Sequence, residues 1–496
     1  MKTATCVLVS LILTAWKGIR SKFPGFFFRA MRQAGLAWRM PSVDERGVTG
    51  GDIKRALDEA GVIPSRKLGQ NFLCDPNMAR AIVEDMELPE GATVVEVGPG
   101  TGALTEHLPG RTRRTILVEY DARLAAALKE RFRGEEDVEV HDADAARFDT
   151  RRLFRHRPVH LLGNLPYSSG GAILRNFLDP PSPCDGAVLM LQREVVERMM
   201  ARPRTKEYGM LTLVVRNHWD IEIVRRVPPE AFWPRPQVES TVIRLRPRRE
   251  PLPVHDFRLF TSLVKRGFAQ RRKQMRKQMP AEPPWEEVAE RIGVAPTARA
   301  EELGLEQWVQ LSRIYDRNPL GQNAQRDDEV FDIVDAEDRV TGQATRAEVH
   351  SKGLMHRAVH VLVFNRKGDL FLQRRSRLKD VHPGLWDTSA AGHLDTGEDY
   401  PEAAARELEE ELGISGAAPV EIGRIAACLA TGNEHVRVFR VEHPGKVRWP
   451  CGEIEVGVWM PPGEVDAWTH ARPGDFAGGF LKCWELFRGQ IGGEAG

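Results

Sequence analysis

Three glutamates lie close together in the segment PEAAARELEEELG. On a helix, Glu407 shares one face with Glu410 and Glu411, which follow three and four residues later. Carboxylates crowded in this way repel one another unless cations lie between them, and hard oxygen ligands suit Mg²⁺ or Mn²⁺. A bound divalent cation polarises a diphosphate and lowers the pKa of an attacking water. The spacing therefore predicts a site for a divalent cation that could act on a diphosphate-containing small molecule, with an acidic, solvated helix face as the alternative.

The residues around these glutamates complete a longer pattern. It reads Gly392-x5-Glu398-x7-Arg406-Glu407-Leu408-x-Glu410-Glu411-x-Gly413-Ile414. Every defined position of the Nudix box is present, so the segment resembles the catalytic helix of Nudix hydrolases. We expect Glu407, Glu410 and Glu411 to be the metal ligands and catalytic residues, and Arg406 to orient their carboxylates. The pattern does not name the substrate, because pocket side chains outside the box select it.

A second candidate site is the tetrapeptide Asn164-Leu165-Pro166-Tyr167, which follows the apolar strand VHLLG. The side-chain oxygen of Asn164 and the carbonyl that precedes Pro166 are both acceptors, and together they can hold an exocyclic amine through its two N–H groups. The face of Tyr167 can stack on the base. A nitrogen held in this way needs no general base before it attacks a methyl sulfonium, so catalysis would be mainly positioning. An ordinary turn at a strand end is the alternative.

A glycine-rich turn, Gly98-Pro99-Gly100-Thr101-Gly102, follows the predicted strand TVVEV. Glycines let the backbone turn sharply and approach a ligand closely. Glu119 ends the next strand, where a carboxylate can bind ribose hydroxyls. By itself this arrangement predicts either a nucleoside cofactor or a tight connection between a strand and a helix.

Taken with their surroundings, these two motifs resemble the KsgA-type ribosomal RNA adenine dimethyltransferases over residues 52–316. The resemblance is carried by KLGQNFL, VEVGPGTGALTEHL, LVEYD, NLPY, MLQREVVERM, YGMLTLVV and the FxPxPxVxS run that begins at Phe232. It implies S-adenosylmethionine as the methyl donor, bound by Asn71, Leu73, Gly98, Glu119, Asp144 and Asn164. It also implies that Asn164, Pro166 and Tyr167 hold the target adenine, with Phe232 as a second stacking wall.

Residues 265–278, KRGFAQRRKQMRKQ, hold seven basic side chains and no acidic one. A run of charge on a predicted helix is often only a solvated face. Here it lies beside a pocket predicted to modify a base, which favours contact with RNA phosphates. We expect Arg271, Arg272 and Lys273 to bind RNA, and the target adenine to be in a loop or flipped out of its helix.

The segments around the Nudix box resemble Nudix proteins related to the type I isopentenyl diphosphate isomerases, over residues 329–480. In those isomerases a set of histidines and two glutamates binds a metal. The matching positions here are His350, His356, His393, Glu453 and Glu455. The active cysteine of the isomerases is replaced by Ala391, while the Nudix box is intact, and both departures favour hydrolysis over isomerisation. Hydrogen-bonded histidines without a metal are the alternative.

The elements that must position these residues follow two different patterns. Short apolar runs alternate with helical segments over residues 52–250, which predicts a mostly parallel sheet with helices on both faces. Residues 254–316 lack strand signals, and two hairpin patterns begin at Val330. We predict an α/β protein: a Rossmann-like methyltransferase with a small all-α C-terminal subdomain, followed by a Nudix α/β/α sandwich. The predicted boundaries are 1–48 (extension), 49–250 (methyltransferase core), 251–316 (helical RNA-binding subdomain), 317–328 (linker), 329–485 (Nudix domain) and 486–496 (tail).

Composition restricts where such a protein can work. The 496 residues have 42% hydrophobic side chains and a net charge of +1. The first 40 residues carry seven Lys or Arg and no acid, whereas residues 327–496 carry 19 basic and 29 acidic side chains. Six well-separated cysteines indicate a reducing compartment, and no apolar run is long enough to span a membrane. The N-terminal stretch resembles a signal peptide only in part, so we expect a cytoplasmic protein. We expect its N-terminal extension to be disordered or to result from a start codon placed too far upstream.

The predicted function is therefore dimethylation at N6 of adenosines in ribosomal RNA, most simply two adjacent adenosines near the 3′ end of the small-subunit RNA in a small-subunit precursor. A large-subunit methyltransferase of the resistance type and a non-catalytic ribosome assembly factor are the rivals. For the second half the predicted function is diphosphate hydrolysis, and the rivals are an isomerase and a nucleotide-binding module.

Overall fold

The computed structural model describes residues 50–64, 70–166, 169–317 and 328–493. The predicted N-terminal extension, Tyr167, most of the predicted linker and the last three residues lie outside these ranges. Both predicted catalytic units lie within them, and each contains a seven-stranded sheet.

The first unit is built on a mostly parallel sheet, as the alternating pattern predicts. Its strands are β2 (Thr93–Val97), β3 (Arg114–Glu119), β4 (Val138–Asp142), β5 (Val159–Asn164), β6 (Gly186–Gln192), β7 (Trp219–Val227) and β9 (Ser240–Pro247). They lie in the order β4-β3-β2-β5-β6-β9-β7, and β9 runs antiparallel to both of its neighbours. Ligands of such sheets bind at the carboxyl ends of the parallel strands, and Gly98, Glu119 and Asn164 lie at those ends.

Helices cover both faces of this sheet, which is why its central strands are apolar along their whole length. They are α1 (Gly50–Glu59), α2 (Pro76–Glu84), α3 (Ala122–Arg131), α4 (Gly170–Leu178), α5 (Arg193–Met199) and α6 (Met210–His218). Helix α2 begins as its sequence predicts: the Asp75 carboxylate accepts hydrogen bonds from the Asn77 and Met78 amides, and Pro76 occupies the first helical position. A small two-stranded sheet joins β1 (Phe72–Leu73) to β8 (Phe232–Trp233).

Residues 254–316 fold into the predicted helical subdomain, with α7 (Phe257–Ala269), α8 (Trp285–Arg291) and α9 (Leu305–Ile314). One expectation is wrong: the basic run is not a continuous helix, because α7 ends at Ala269 and a turn follows. The chain turns inward there because Met275 is fully buried in the subdomain core and its amide bonds to the Ala298 carbonyl. Only a short 3₁₀ helix, Met275–Lys277, continues the run.

The second unit contains a mixed sheet and a separate hairpin, β10 (Val330–Val334) with β11 (Val340–Thr345). The sheet strands are β12 (His356–Phe364), β13 (Leu370–Arg375), β14 (Trp386–Asp387), β15 (Ala390–His393), β16 (Val420–Ile425), β17 (Glu434–Glu442) and β18 (Ile454–Met460). Their order is β14-β13-β12-β17-β16, with β15 also paired to β12 and β18 to β13. In the second predicted hairpin, a turn at residues 365–368 joins β12 to β13.

Four helices belong to this unit: α10 (Arg346–Lys352), α11 (Tyr400–Leu412), α12 (Pro462–Ala471) and α13 (Gly478–Gly493). Helix α11 carries the predicted glutamates and ends at Gly413, whose φ of 65° is a left-handed conformation that favours glycine. One apolar cluster packs α11 on the sheet, and a second packs α12 and α13 on its other face. The sheet therefore lies between helical layers, as an α/β/α sandwich.

The two units are packed against each other. Phe154, in a 3₁₀ helix that leads into β5, is 2% exposed because its ring lies within the aromatic cluster of the second unit. The ring centroid lies 4.7 Å from that of Trp468 and 5.8 Å from that of Trp386. Burying one such side chain contributes roughly 1.5–3 kcal/mol. Arg151, one turn earlier, donates to the Trp459 carbonyl of β18 at 2.8 Å.

Within the described ranges, no helix has the length and apolar character that a membrane crossing requires.

Candidate active sites

The glycine turn after β2 is shaped for close approach of a ligand. Gly98 and Gly100 have φ values of 66° and 60°, where side chains are strained. A Cβ on Gly100 would lie 2.9 Å from the Phe72 ring, so only glycine fits at that position. The Gly100 amide donates to the carboxylate of Glu119 at 3.0 Å. This cradle of glycine backbone beside a carboxylate fits the nucleoside part of S-adenosylmethionine.

Glu119 is held by backbone amides at the end of β3. One of its oxygens accepts from Gly100 and the other from Asp121, at 3.0 and 2.9 Å. Burial raises the pKa of Glu119, although these hydrogen bonds act in the opposite direction. A carboxylate has about four acceptor positions, so two hydrogen bonds from backbone amides leave room for hydrogen bonds from the hydroxyls of a ribose.

Asn164 has a fixed orientation. Its side-chain amide donates to the Asn71 carbonyl at 3.0 Å, which directs the side-chain oxygen away as an acceptor. The β1–β8 pairing holds this N-terminal segment in place, since Leu73 pairs with Phe232. The Pro166 carbonyl is used structurally, because it accepts from the Gly170 amide at the start of α4. The Leu165 carbonyl, which precedes Pro166, stays the predicted second acceptor for a substrate amine.

Two other predicted residues of this site differ in their surroundings. Asp144 lies just beyond β4 with a side chain that is 40% exposed, and it accepts from the Ala146 amide at 2.9 Å. It is accessible to a cofactor amine. Phe232 is only 4% exposed and packs in the core with Leu73. In this conformation Phe232 packs as a core residue, and its role as a second stacking wall stays a prediction.

The predicted RNA-binding residues do not form one group. The Arg271 guanidinium pairs with Glu301 and donates to the carbonyls of Thr205 and Lys206, so it ties a loop to the helical subdomain. Arg272 and Lys273 are exposed on the following turn. The structure therefore leaves Arg272 and Lys273 accessible to a phosphate and engages Arg271 within the protein.

In the second unit, α11 brings two of the three predicted glutamates into a buried pair. Glu407 and Glu411 are 8% and 6% exposed, and burial, together with their mutual repulsion, raises the pKa of Glu407. A Cβ on Gly392 would lie 1.9 Å from a Glu407 oxygen, so the glycine of the box is required by the carboxylate. Such a pair fits a divalent cation, which would remove the repulsion.

Arg406 organises the carboxylates around it. Its guanidinium donates to both oxygens of Glu398 at 2.9 and 3.0 Å, and to Glu407 at 2.8 Å. It also reaches Glu410 at 3.2 Å and the His393 carbonyl at 2.9 Å. Glu410 remains 58% exposed and is the carboxylate of the three that is open to a ligand.

Lys379 is a member of this site that sequence reasoning missed. It is 12% exposed and forms an ion pair with Glu453, which is 11% exposed. Burial lowers the pKa of Lys379, and the nearby charge of Glu411 opposes that shift. A single lysine in a polar loop gives no sequence signal, because only the fold brings it to the glutamates.

Glu453 and Glu455, two residues apart at the start of β18, do not share a face. Glu453 faces Lys379, whereas Glu455 lies 3.5 Å from Arg374 and 3.8 Å from Arg377. The cause is a β-bulge: the β13–β18 register shifts between Arg374 and Arg375, which interrupts the alternation of side chains. Neither glutamate joins the histidines.

The carboxylate that does join the histidines is Glu434. One atom each of His356, His393 and Glu434 lie within 4.8 Å of one another, and the ring of His350 lies 5.7 Å from both other rings. Burial would raise the pKa of Glu434, but the two histidines outweigh it and hold that pKa well below its usual range. The β12–β17 register places His356 directly opposite Glu434. Two imidazoles and a carboxylate could hold a transition metal.

Comparisons with known proteins agree with the division of the chain into two units. The family model described as ribosomal RNA adenine dimethylase matches residues 64–317, and the NUDIX domain model matches residues 354–477. A ribosomal RNA small subunit methyltransferase A from Synechococcus sp. is 39% identical over 260 residues, which is 50% of this chain and 92% of that protein. The corresponding protein of Methylobacterium radiotolerans is 39% identical over 273 residues, covering 53% and 92%.

A Deinococcus radiodurans protein of known crystal structure is 27% identical to this chain. It covers 32% of this chain and 98% of its own length, with a TM-score of 0.29. Because the adenine dimethylase model matches more than half of the chain and relatives at 39% identity are matched over 92% of their length, the chain belongs to the ribosomal RNA adenine dimethylase family and carries a NUDIX domain after it.

Proposed function

We propose that the first unit transfers methyl groups from S-adenosylmethionine to N6 of adenosines in small-subunit ribosomal RNA. The observation that carries this proposal is the orientation of Asn164, whose amide is fixed by the Asn71 carbonyl so that its oxygen can accept from a substrate amine. The relatives named as small-subunit methyltransferases support the RNA class. An enzyme that uses this donor and ribosomal particles would work in the cytoplasm.

Bound S-adenosylmethionine would supply an activated methyl group. Asn164 and the Leu165 carbonyl would accept the two N–H groups of the adenine and direct its nitrogen lone pair toward that methyl. Glu119 and Asp144 would hold the ribose and adenine of the donor. Positioning of this kind contributes several kcal/mol to a barrier without any proton transfer before attack.

Methylation of purified ribosomal particles tests this proposal. With radiolabelled donor, unmethylated small-subunit particles should accept about two methyl groups on each of two adenosines, as the resemblance implies, and large-subunit particles should accept none. Transfer to the large subunit instead would favour a resistance-type enzyme, and binding without transfer would favour an assembly factor.

We propose that the second unit is a divalent-cation-dependent hydrolase of a diphosphate-linked compound. The carrying observation is the buried Glu407–Glu411 pair beside the exposed Glu410, with Arg406 bonded to Glu407 and Glu410. Mg²⁺ or Mn²⁺ would neutralise the pair and polarise a phosphate. The buried Lys379 adds a positive charge at the edge of the same cluster.

A screen of nucleoside diphosphate compounds with the full chain and added Mg²⁺ or Mn²⁺ tests this second proposal. Release of phosphate products that depends on the cation is expected. Tight binding of a compound with no turnover would favour a nucleotide-binding module.

The histidine cluster supports one rival for the second unit, a metal-dependent isomerase. His356, His393 and Glu434 have the donor set that a transition metal requires. Ala391 stands where the isomerases have a cysteine, so the chain lacks the thiol that isomerisation uses. Incubation with isopentenyl diphosphate should therefore give no isomer, while a zinc or manganese titration detects whether the cluster binds a metal.

A further inference from the structure

Two short segments bring Lys379 and Glu453 together beside the buried glutamates. We name them the lysine arm, residues 376–379 after β13, and the glutamate arm, residues 449–453 before β18. The Ser376 amide donates to the Glu453 carbonyl at 2.9 Å, and the two charged side chains form the ion pair described above. The amide of Arg448, the residue before the glutamate arm, donates to the Leu412 carbonyl of α11 at 3.0 Å, and the charge of Lys379 acts on Glu411, so the arms border the glutamate cluster.

Both arms rest on the first unit. On the lysine arm, the guanidinium of Arg377 donates to the Leu252 carbonyl at 3.1 Å. On the glutamate arm, the guanidinium of Arg258 lies 3.7 Å from the centroid of the Trp449 ring, a cation–π contact, and the Cys451 thiol lies 3.7 Å from a carboxylate oxygen of Asp316. Each arm is therefore held from outside the NUDIX domain.

The supporting surface is well ordered by its own contacts. Leu252 is 7% exposed and packs in the core of the helical subdomain. Arg258 is in the first turn of α7, where Asp256 caps the helix and also lies 3.5 Å from the Arg258 guanidinium. Arg258 is thus oriented by its own unit before it meets Trp449. On the other side, Trp449 packs on Phe371 of β13, with 5.5 Å between ring centroids.

The anchor at Phe154 keeps these contacts in register. Its ring is buried among Trp386 and Trp468, and Arg151 bonds to the Trp459 carbonyl of the edge strand β18. Apolar burial at one end and directional bonds at the other restrict both translation and rotation between the units.

We propose that the methyltransferase unit forms the outer support of the hydrolase site, with Arg258 as a positioning residue that acts through Trp449 on Glu453 and Lys379. This inference rests on the proposed hydrolysis for its catalytic part, but the support itself is independent of any activity. It gives the fusion a structural reason: the NUDIX domain uses its neighbour to fix two charged residues of its own site.

Hydrogen–deuterium exchange on the full chain tests the support directly. Arg258→Ala should raise the exchange rates of the Ser376, Glu453 and Ile454 amides at least tenfold, because each donates to a carbonyl of the glutamate arm. Arg258→Lys keeps a cation over Trp449 and should restore most of the protection. Arg291→Ala, an exposed arginine of the same subdomain, is the matched control and should change nothing.

The same variants separate the support from the hydrolase proposal. With an active compound from the screen, Arg258→Ala should lower kcat about tenfold with little change in KM, since misplacement of catalytic groups costs rate more than binding. Unchanged exchange in the arms would overturn the inference whatever the activity. Faster exchange with unchanged kcat would overturn the positioning role. If Arg258→Ala speeds exchange in the arms but the wild-type chain hydrolyses no compound, the structural support is confirmed and the proposed hydrolysis is rejected.

Discussion

The two sites of this chain solve opposite problems of assembly. The methyl-transfer site takes its residues from separate strand ends. The Asn164 side chain donates to the carbonyl of Asn71, which lies 93 residues earlier in the sequence. The hydrolase site takes its acids from one helix, α11. The first site depends on correct pairing between segments that are distant in sequence. The second site must accommodate several carboxylates close together.

Their electrostatics differ in the same way. Asn164 is neutral, and Glu119 is stabilised by two amides, so the first site needs no counter-charge to keep its shape. Burial raises the pKa of both Glu407 and Glu411, and at Glu407 the neighbouring charge of Glu411 adds to that shift. The first site should therefore act by geometry, and the second should depend on a cation.

The largest effect is expected from Glu410→Gln in the hydrolase site. Loss of the exposed carboxylate would remove a cation ligand and should lower hydrolysis by about 10³-fold, since a metal contributes several kcal/mol and each 1.36 kcal/mol is tenfold in rate. Phosphate release at saturating Mg²⁺ measures it. Glu409→Gln is the matched control, because Glu409 is an exposed neighbour on the same helix whose carboxylate accepts from the Ser415 hydroxyl. Equal activity of the two variants would contradict the assignment.

Asn164→Ala tests the methyl-transfer site. Removing one oriented acceptor should lower methyl transfer by roughly 10²- to 10³-fold, as loss of a preorganised hydrogen-bonding group does elsewhere. Cofactor binding, measured by calorimetry, should fall less, and hydrolysis by the same preparation should be unchanged. Transfer that survives this substitution would show that geometry at Asn164 is not what positions the amine.

The sequence predicted best where the signal was local. The cap at Asp75, the β12–β13 turn and the glycine after α11 each follow from a few adjacent residues, and all three form. The glutamate spacing in the Nudix box likewise places Glu407 and Glu411 on one helix face. Local sequence sets these features because they depend on backbone conformation and helix periodicity.

The failures all involve contacts between distant segments. Glu434 joins the histidines through the β12–β17 pairing, and Lys379 meets Glu453 through the β13–β18 pairing, and no local pattern encodes either partnership. Arg271 looked like its neighbours in a basic run, but Glu301, 30 residues later, engages it. The packing of Phe154 on the second unit gave no sequence signal beyond one apolar residue.

Glu96 is a buried acid of the first unit. It lies under the glycine turn at 1% exposure, where burial raises its pKa to about 8 although Thr105 donates to it. Between pH 4.5 and 8 the folded state keeps a proton that the unfolded state loses, so stability falls as pH rises. Glu96→Gln removes that dependence.

The variant should gain about 2 kcal/mol of unfolding free energy relative to wild type between pH 5.5 and 7.5. Urea unfolding at the two pH values measures it. Thr112→Ser, a change at a buried hydroxyl in the same region, is the control and should show no pH-dependent difference. A constant offset at both pH values would mean that Glu96 is ionised in the folded protein.

The smallest expected effect separates Arg271 from its neighbours and tests whether the first site also depends on charge at its RNA surface. Arg272→Glu with Lys273→Glu should weaken binding to small-subunit particles about tenfold near 0.15 M salt and lower the slope of log affinity against log salt by one to two, since each phosphate contact contributes about 0.7–0.9 to it. Unfolding should not change, because both side chains are exposed.

Arg271→Ala should instead lower the unfolding midpoint, because it releases the loop at Thr205 and Lys206, while the salt slope of RNA binding should stay close to that of the wild type. A salt slope that falls for Arg271→Ala and not for the double variant would return the phosphate contact to Arg271.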